Sequence, residues 1–305
     1  MTEHGFGGRV AVVTGAGRGI GRAYAKLLAA RGARVVVNDL GGSIRGEGAD
    51  VEPASTVAAE IVAAGGDAIA DHGDVATPAG AEALVDAAVR HFGRIDILLN
   101  NAGIVRWAGF PDADADNLAS HLAVHVGGSF HTARAAWPHM VEQGYGRIVM
   151  TTSSGVFGLP NNLSYATAKA AVIGLTRSLA RAGAEHDIKV NLIAPAAFTR
   201  MAGMPKDGSA PAGGPGAAEM SPDLVAPMAA FLAHERCPVS GEIYAAGAGR
   251  FARIFIAQAQ GYVHPDPKPT IEDVARSWTA INDEGDYFVP ADLMEWSTVF
   301  LAHLR

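Results

Sequence analysis

The sequence predicts an α/β fold: a doubly wound, Rossmann-type parallel sheet of about seven strands, with a helical C-terminal extension. Two observations predict it. Short runs rich in Val and Ile alternate with helix-like segments up to about Pro195, and a glycine-rich turn follows the first of these runs. Apolar strands separated by helices are typical of a parallel sheet that is covered on both faces. The alternation stops after Gly249, where the extension begins.

The individual elements follow from local patterns. Strands are predicted where β-branched residues run together, and helices where apolar residues recur at helical spacing. The first helix ends at Gly32, a residue common at helix C-termini. The strands are predicted at 9–13, 33–38, 67–70, 95–99, 147–151, 189–193 and 242–245. The helices are predicted at 21–30, 55–64, 78–92, 114–140 (straight or bent), 165–184, 271–281 and 293–304.

Two domains are predicted, a dinucleotide-binding catalytic domain over 1–249 and the extension over 250–305. Two loops interrupt the regular alternation. The polar, glycine-rich segment 41–53 is longer than most connections from strand to helix. Segment 204–216 is rich in Pro and Gly, and either covers a substrate as a lid or is a linker without function.

Composition excludes several classes of function. The chain has 305 residues, 49% of them hydrophobic, which suits a globular protein with a sizeable core. The net charge of −7 argues against nucleic-acid binding, and no apolar run is long enough to predict a membrane span. Cys237 is the single cysteine, and neither a signal peptide nor a Ser-Lys-Leu ending is present. A cytoplasmic location is therefore expected, and no metal site is predicted.

The glycine-rich turn predicts a dinucleotide site. Gly15, Gly19 and Gly21 stand between a strand and a helix, where glycine allows a tight turn, a close backbone approach and close packing of the helix. The N-terminus of that helix then offers N–H groups to a pyrophosphate.

The end of the second strand predicts which dinucleotide binds. Asp39 lies eighteen residues after Gly21, where a carboxylate accepts a hydrogen bond from the ribose 2′-hydroxyl of NAD and repels a 2′-phosphate. A cap at the strand end is the alternative role. Arg18 and Arg45 could offer charge to a phosphate, but Asp39 favours NAD over NADP.

A third pattern predicts a group that transfers protons. Tyr165 and Lys169 are four residues apart, and therefore share one face of the predicted helix. A phenol is a poor proton shuttle at neutral pH unless its pKa is lowered, and a neighbouring ammonium favours the phenolate. An ordinary surface helix is the alternative, which the two upstream glycine segments make less attractive.

With TGAGRGIG, NNAG and YATAK in this order, the chain resembles the short-chain dehydrogenase/reductase family from about Arg9 to Ala248. Within it, NDLGG, VHVGGSFHTARAAWPHM, IAPAAFTRM and GAGRF are similar to the dehydrogenase part of peroxisomal multifunctional enzymes of type 2. Such enzymes oxidise (3R)-hydroxyacyl-CoA. The resemblance implies a dehydrogenase without their hydratase and sterol-carrier parts.

The resemblance implies roles for several residues. Tyr165 would be the acid/base, and Lys169 would lower its pKa and hold the nicotinamide ribose. His125 stands where most members have an Asn that links the lysine to solvent, so either the relay passes through the imidazole or His125 is structural. NAD would also contact Arg18, Ile20, Asp74, Val75, Asn101, Ala102, Gly103, Pro195, Ala197 and Thr199, with Ala196 in a place usually held by Gly.

The hydroxyl that orients the substrate is less clearly assigned. Counting forward from Arg147 selects Ser153, twelve residues before Tyr165, whereas thirteen is usual in the family. Thirteen residues selects Thr152 instead. Ser153 is preferred here, with Thr152 and Ser154 as alternatives.

The predicted function is NAD-dependent oxidation of a secondary alcohol, best matched by the 3-hydroxyl of a (3R)-hydroxyacyl-CoA. A hydroxysteroid or other bulky alcohol is the alternative substrate, and an NAD-binding protein without turnover is the alternative class. The helices over 114–140 and 165–184 resemble those of the family's subunit interface, which predicts a homodimer or homotetramer. Apolar residues of the extension, Trp278 among them, are expected to pack on the main domain or on a partner subunit.

Overall fold

The computed structural model describes residues 4–202, 216–266 and 268–304. The predicted lid segment, apart from Gly216, lies outside these residues. The chain forms two compact units, one up to Arg253 and one from Ile254 onward.

The first unit is built on one eight-stranded sheet with the order β3-β2-β1-β4-β5-β6-β7-β8. The strand order reverses between β1 and β4, which is where nucleotides bind in such sheets. Strands β1 to β7 pair in parallel, with Val12 opposite Val36 on one side and Leu98 on the other. The strands are β1 (Val10–Thr14), β2 (Arg34–Asn38), β3 (Asp67–Asp71), β4 (Ile97–Asn100), β5 (Gly146–Thr151), β6 (Ile188–Pro195), β7 (Ile243–Gly247) and β8 (Arg250–Ile254).

Helices cover both faces of this sheet. On one face, Tyr24 and Leu28 of α1 and Val57 and Ile61 of α2 pack on buried strand residues, together with α7. On the other face lie α3, α5 and α6. The helices are α1 (Gly19–Ala30), α2 (Glu52–Ala63), α3 (Pro78–Phe92), α4 (Ala115–His121), α5 (Gly128–Gln143), α6 (Leu163–Ala182) and α7 (Ala226–Leu232).

The predicted doubly wound sheet is confirmed, and its details need three corrections. The sheet has eight strands rather than about seven, because β8 adds to the edge at β7. The sequence analysis also missed α7. The continuous helix predicted over 114–140 is interrupted at Leu122–Gly127 by a π-helical turn, which we call the wide turn. It follows His121 and contains His125.

The second unit contains a two-stranded antiparallel sheet, β9 (Gln258–Ala259) with β10 (Tyr287–Phe288), which was not predicted. The helix expected over 271–281 is two short helices, α8 (Ile271–Arg276) and α9 (Trp278–Ile281). The helix expected over 293–304 is α10 (Leu293–Phe300) followed by a 3₁₀ turn. Helix α8 begins with a capping box formed by Thr270 and Asp273.

Among the helices of the described residues, none combines the length and apolar character that crossing a bilayer requires.

Candidate active site

The glycine-rich turn between β1 and α1 has no room for a side chain at Gly15 or Gly21. Gly15 and Gly19 adopt positive φ values of 61° and 53°, which favour glycine. A Cβ at Gly15 would lie 2.8 Å from the Cα of Ala102, and one at Gly21 would overlap the carbonyl oxygen of Gly15. The turn therefore brings bare backbone to the end of the sheet, as a pyrophosphate site requires.

Thr14 and Asn101 join this turn to the neighbouring strand. The Thr14 hydroxyl accepts hydrogen bonds from the backbone N–H groups of Asn101 and Ala102, both at 3.0 Å. The Asn101 side chain donates to the carbonyl oxygens of Thr14 (3.0 Å) and Gly15 (3.1 Å). These bonds hold the NNAG segment against the glycine turn.

Asp39 also contacts the glycine turn. Its Oδ2 accepts a hydrogen bond from the Gly17 N–H at 2.8 Å, and its Oδ1 accepts one from the Gly41 N–H at 2.7 Å. The carboxylate thus lies at the end of β2 beside the expected ribose position, and also holds two backbone segments. Both alternatives for Asp39, ribose ligand and strand-end cap, fit this geometry.

Two arginines lie near this carboxylate. Arg18 is 3.9 Å from the Oδ2 of Asp50, and its Nη1 is buried with no hydrogen-bond partner within the described residues. Burial and the charge of Arg18 lower the pKa of Arg200, while Asp39 raises it. The two guanidinium groups therefore lie close enough to influence each other. Arg45, in contrast, is exposed and pairs with Glu47 at 3.5 Å.

Other predicted cofactor residues follow the carboxyl ends of β3 and β6, while Ile20 lies in the first turn of α1 and Gly103 follows β4. Asp74 caps its own turn, accepting from the Ala76 N–H at 2.9 Å, and Val75 is buried. After β6, the Thr199 methyl group lies 3.5 Å from where a Cβ of Gly19 would be. The loop after Pro195 therefore returns to the glycine turn. The structure brings residues from β1, β2, β3, β4 and β6 to one edge of the sheet.

The three candidate hydroxyls differ in their surroundings. Ser153 follows β5, accepts a hydrogen bond from the Gly155 N–H at 3.0 Å, and hydrogen-bonds the Tyr165 phenol. Thr152 is 1% exposed and donates to the carbonyl oxygen of Lys169 at 2.8 Å. Ser154 is exposed at the start of a 3₁₀ turn. Of the three, Ser153 is the one that the structure pairs with Tyr165.

Tyr165 and Lys169 lie on one face of α6. Lys169 is buried, its Nζ donates to the Thr151 carbonyl oxygen at 2.9 Å, and it lies 5.6 Å from the centre of the Tyr165 ring. Burial lowers the pKa of Lys169 to about 7. Burial also raises the pKa of Tyr165, an effect that the hydrogen bond from Ser153 opposes. A lysine with this pKa can give or take a proton near neutral pH.

His125 completes this group from the wide turn. Its ring is 1% exposed and meets the Tyr165 ring edge-on, with 5.3 Å between their centres. Its Nε2 lies 2.9 Å from the Ile104 carbonyl oxygen. Burial and the charge of Lys169 hold the pKa of His125 well below its usual value. Wide turns of this kind are frequent at functional sites.

Comparison with known proteins decides the family. A family model described as short chain dehydrogenase matches residues 9–207. The chain belongs to the short-chain dehydrogenase family. The resemblance inferred from the three motifs is confirmed.

Individual relatives fit the same assignment. Peroxisomal multifunctional enzyme type 2 of Drosophila melanogaster is 41% identical over 91% of this chain, which spans 46% of that enzyme. Its full-length structure superposes with a TM-score of 0.80, covering 98% of this chain and 50% of that one. A short-chain dehydrogenase from Mycobacterium avium is 34% identical, with a TM-score of 0.70, and covers 97% of this chain and 95% of its own.

A third solved structure is 7α-hydroxysteroid dehydrogenase in complex with NADH and 7-oxo glycochenodeoxycholic acid. It is 31% identical, with a TM-score of 0.69, and covers 80% of this chain and 95% of its own. The short-chain dehydrogenase fold of this chain is therefore close to that of a hydroxysteroid dehydrogenase with NADH bound.

Sequence reasoning missed two residues of this short-chain dehydrogenase site. Thr14 precedes the glycine turn and was not considered, although a hydroxyl next to such a turn is a candidate for holding it. His121 is buried and stacks on His125 with 5.9 Å between ring centres. The spacing of four residues between the two histidines was a signal available in the sequence.

Proposed function

We propose that the protein oxidises the 3-hydroxyl of a (3R)-hydroxyacyl-CoA with NAD⁺ as hydride acceptor. The observation that supports this proposal is the grouping of Ser153, Tyr165 and Lys169 at the carboxyl end of β5, the same end of the parallel sheet as the glycine-rich turn. Similarity to the dehydrogenase part of peroxisomal multifunctional enzymes supports the substrate class. NADH in the related 7α-hydroxysteroid dehydrogenase structure supports the cofactor class.

The residues present fit a dinucleotide. Gly15 and Gly21 pack against neighbouring backbone, whereas a Cβ at Gly19 would contact only the Thr199 side chain at 3.5 Å, so the backbone at Gly19 is open to a diphosphate. The Nη1 of Arg18 is buried and has no hydrogen-bond partner among the residues that the structure describes, so it can donate to an anionic group of the cofactor. Asp39 would accept from the adenosine ribose. When bound, NAD⁺ supplies the acceptor for the hydride that leaves the alcohol carbon.

Three side chains of the protein would then transfer the proton of the substrate hydroxyl and stabilise the oxygen that loses it. Tyr165 would accept the proton of the substrate hydroxyl, and Ser153 would donate a hydrogen bond to the same oxygen, so that two groups already in place meet the developing charge. Lys169, with its pKa near 7, would carry the proton onward and hold the nicotinamide ribose. The products of the step are a 3-ketone, the reduced cofactor and one proton.

Two variants test this mechanism. Tyr165→Phe removes only the phenol oxygen, so turnover should be lost while NADH binding, followed by fluorescence, stays nearly unchanged. Tyr287→Phe, on the second unit and half exposed, is the matched control and should keep wild-type turnover. Most of the activity remaining in Tyr165→Phe would refute the proposal. The substrate class is tested by a screen of short, medium and long (3R)-hydroxyacyl-CoAs with NAD⁺ and NADP⁺.

A bulky alcohol is the second candidate substrate. The structural similarity to 7α-hydroxysteroid dehydrogenase favours it. Comparing kcat/KM for (3R)-hydroxyacyl-CoAs with that for hydroxysteroids separates the two directly. NADH binding without turnover of either would favour a binding protein, although the presence of Tyr165 and Lys169 argues against that class.

We also propose the assembly and location that the sequence suggested: a homodimer or homotetramer in the cytoplasm, with no nucleic-acid or membrane partner. The second unit supports an assembly, because Ile271, Trp278 and Leu293 are 85%, 60% and 71% exposed. Apolar side chains exposed to this extent favour contact with another subunit. Sedimentation of the full chain and of Trp278→Ser tests the proposal, which predicts weaker association for the variant. Because several relatives are named peroxisomal, imaging of the tagged protein tests the location.

A further inference from the structure

His121 is a buried histidine that the proposed mechanism does not use. It is the last residue of α4 and is 0% exposed. Its ring stacks on the His125 ring at an interplanar angle of 10°, and meets the Tyr165 ring at 85° with 6.2 Å between centres. Since His125 meets Tyr165 at 88°, two parallel imidazoles lie against one phenol ring.

The hydrogen bonds of His121 determine its tautomer. Its Nε2 accepts from the Arg106 backbone N–H at 3.2 Å, a group that can only donate. Its Nδ1 lies 2.7 Å from the Asn117 carbonyl oxygen, a group that can only accept. The ring is therefore neutral, with its proton on Nδ1. Protonation of Nε2 would remove the acceptor of the Arg106 N–H.

Arg106 connects this ring to the cofactor side of the protein. Its Nε donates to the Arg45 carbonyl oxygen at 2.8 Å, and the neighbouring Val105 N–H donates to the Ile44 carbonyl oxygen at 2.8 Å. Ile44 and Arg45 belong to the glycine-rich loop that follows Asp39. A continuous series of contacts thus runs from this loop through Arg106 and the two histidines to Tyr165.

We propose that His121 is a positioning residue, which, held between Arg106 and Asn117, sets the place of His125 and of the Tyr165 ring. This inference rests on the proposed function, in which Tyr165 exchanges a proton with the substrate. The two ring nitrogens of His121 bond the Arg106 N–H and the Asn117 carbonyl oxygen rather than the phenol oxygen of Tyr165, so His121 acts through the two rings and the backbone that it holds.

The surroundings give His121 a distinct pH dependence. The charged and titratable groups that face it are Arg106, Lys169 and Tyr165, together with His125. Burial and the charges of Arg106 and Lys169 lower the pKa of His121 below its usual value, and the opposing effect of the hydrogen bond to Asn117 is smaller than that of burial. At neutral pH the ring stays neutral, and protonation at acidic pH breaks the bond to Arg106.

Two substitutions separate hydrogen bonding from stacking. His121→Phe keeps an aromatic ring on His125 but leaves the Arg106 N–H without an acceptor. His121→Gln loses the ring but can present an oxygen to the same N–H. Because a buried donor without an acceptor is costly, kcat should fall about tenfold in His121→Phe. It should recover in part in His121→Gln, while KM for NAD⁺ changes little in both. His131→Phe on α5 is the matched control and should keep wild-type kcat.

The pH profile and the phenol provide the decisive readouts. In the wild type, protonation of His121 contributes to the fall of kcat at acidic pH, so kcat of His121→Phe should fall less steeply as the pH is lowered. The ultraviolet titration of the Tyr165 phenol, taken as the difference from Tyr165→Phe, should move by about 0.5 pH unit or more. A phenol titration and an acid limb identical to wild type would overturn the proposal. The titration needs no substrate, so absence of turnover would count against the proposed function and leave this test intact.

Discussion

The Nζ of Lys169 donates a buried hydrogen bond to the backbone oxygen of Thr151, with 2.9 Å between the two atoms. The ammonium therefore has a neutral partner rather than a carboxylate. Burial without a counter-charge explains why the pKa of Lys169 falls from 10.5 to about 7. The same property that lets the lysine exchange protons near neutrality also destabilises the fold.

The first prediction concerns this cost. Between pH 7 and 10.5 the unfolded chain holds a proton on Lys169 that the folded chain has lost, so the free energy of unfolding rises with pH in that window. Lys169→Met should therefore stabilise the inactive protein by about 1–3 kcal/mol at pH 6, and by less at pH 9. Urea unfolding at both pH values measures this. Lys26→Met, at a half-buried pair with Glu60, should show no such pH-dependent gain.

The second prediction separates the hydroxyls. Ser153→Ala should lower kcat by about 10² to 10³, because a donor to the substrate oxygen is lost. Thr152→Val should keep kcat close to wild type and lower stability by about 1 kcal/mol, since its hydroxyl bonds the Lys169 carbonyl. Steady-state kinetics and thermal unfolding check both, with the exposed Ser154→Ala as control. A large loss of kcat in Thr152→Val, with kcat of Ser153→Ala close to wild type, would instead assign the substrate-orienting hydroxyl to Thr152.

The sequence predicted the features that depend on local patterns. The strands were visible as apolar runs, because strands such as β1 and β4 are buried along their whole length and need mostly apolar residues. The glycine turn and the i,i+4 pair of Tyr165 and Lys169 were visible too, because each is a short pattern of residues close together in the sequence. Their geometry follows from neighbouring residues alone.

The features that were missed depend on distant contacts. Strand β8 (Arg250–Ile254) carries two arginines and is mostly exposed, so it has no apolar run to reveal it. The wide turn has no distinct periodicity in the sequence. The role of His121 depends on a backbone N–H fifteen residues away, at Arg106, and no local pattern encodes that contact.

The third prediction concerns cofactor choice. Wild-type enzyme should prefer NAD⁺ to NADP⁺, because the Asp39 carboxylate repels a 2′-phosphate. Asp39→Asn keeps the size but removes the charge, so the ratio of kcat/KM values for the two cofactors should fall about tenfold. Arg18 and Arg200 would then be free to attract the phosphate. Preference of the wild type for NADP⁺ would contradict this assignment of Asp39.

The fourth prediction tests the close packing at His125. A Cβ at Gly103 would lie 2.5 Å from the Cε1 of His125, a ring that has no room to move. Gly103→Ala should therefore cost about 1–3 kcal/mol and reduce kcat. Gly174→Ala is the matched control: it faces open space on α6 and should stabilise by up to about 1 kcal/mol. Thermal unfolding and kinetics measure both. If Gly103→Ala matched Gly174→Ala in both stability and kcat, the ring of His125 would tolerate displacement and the prediction would be wrong.

The wide turn at Leu122–Gly127 has a consequence for how this chain can change its length. A π-helical turn holds one residue more than a regular helical turn, so losing one residue here would restore a regular helix and move His125 away from the Tyr165 ring, while α5 keeps its rotation on the sheet. The glycine-rich loop after Asp39 places no ring against Tyr165. Insertions and deletions among homologous chains should therefore accumulate in that loop and be absent from this turn.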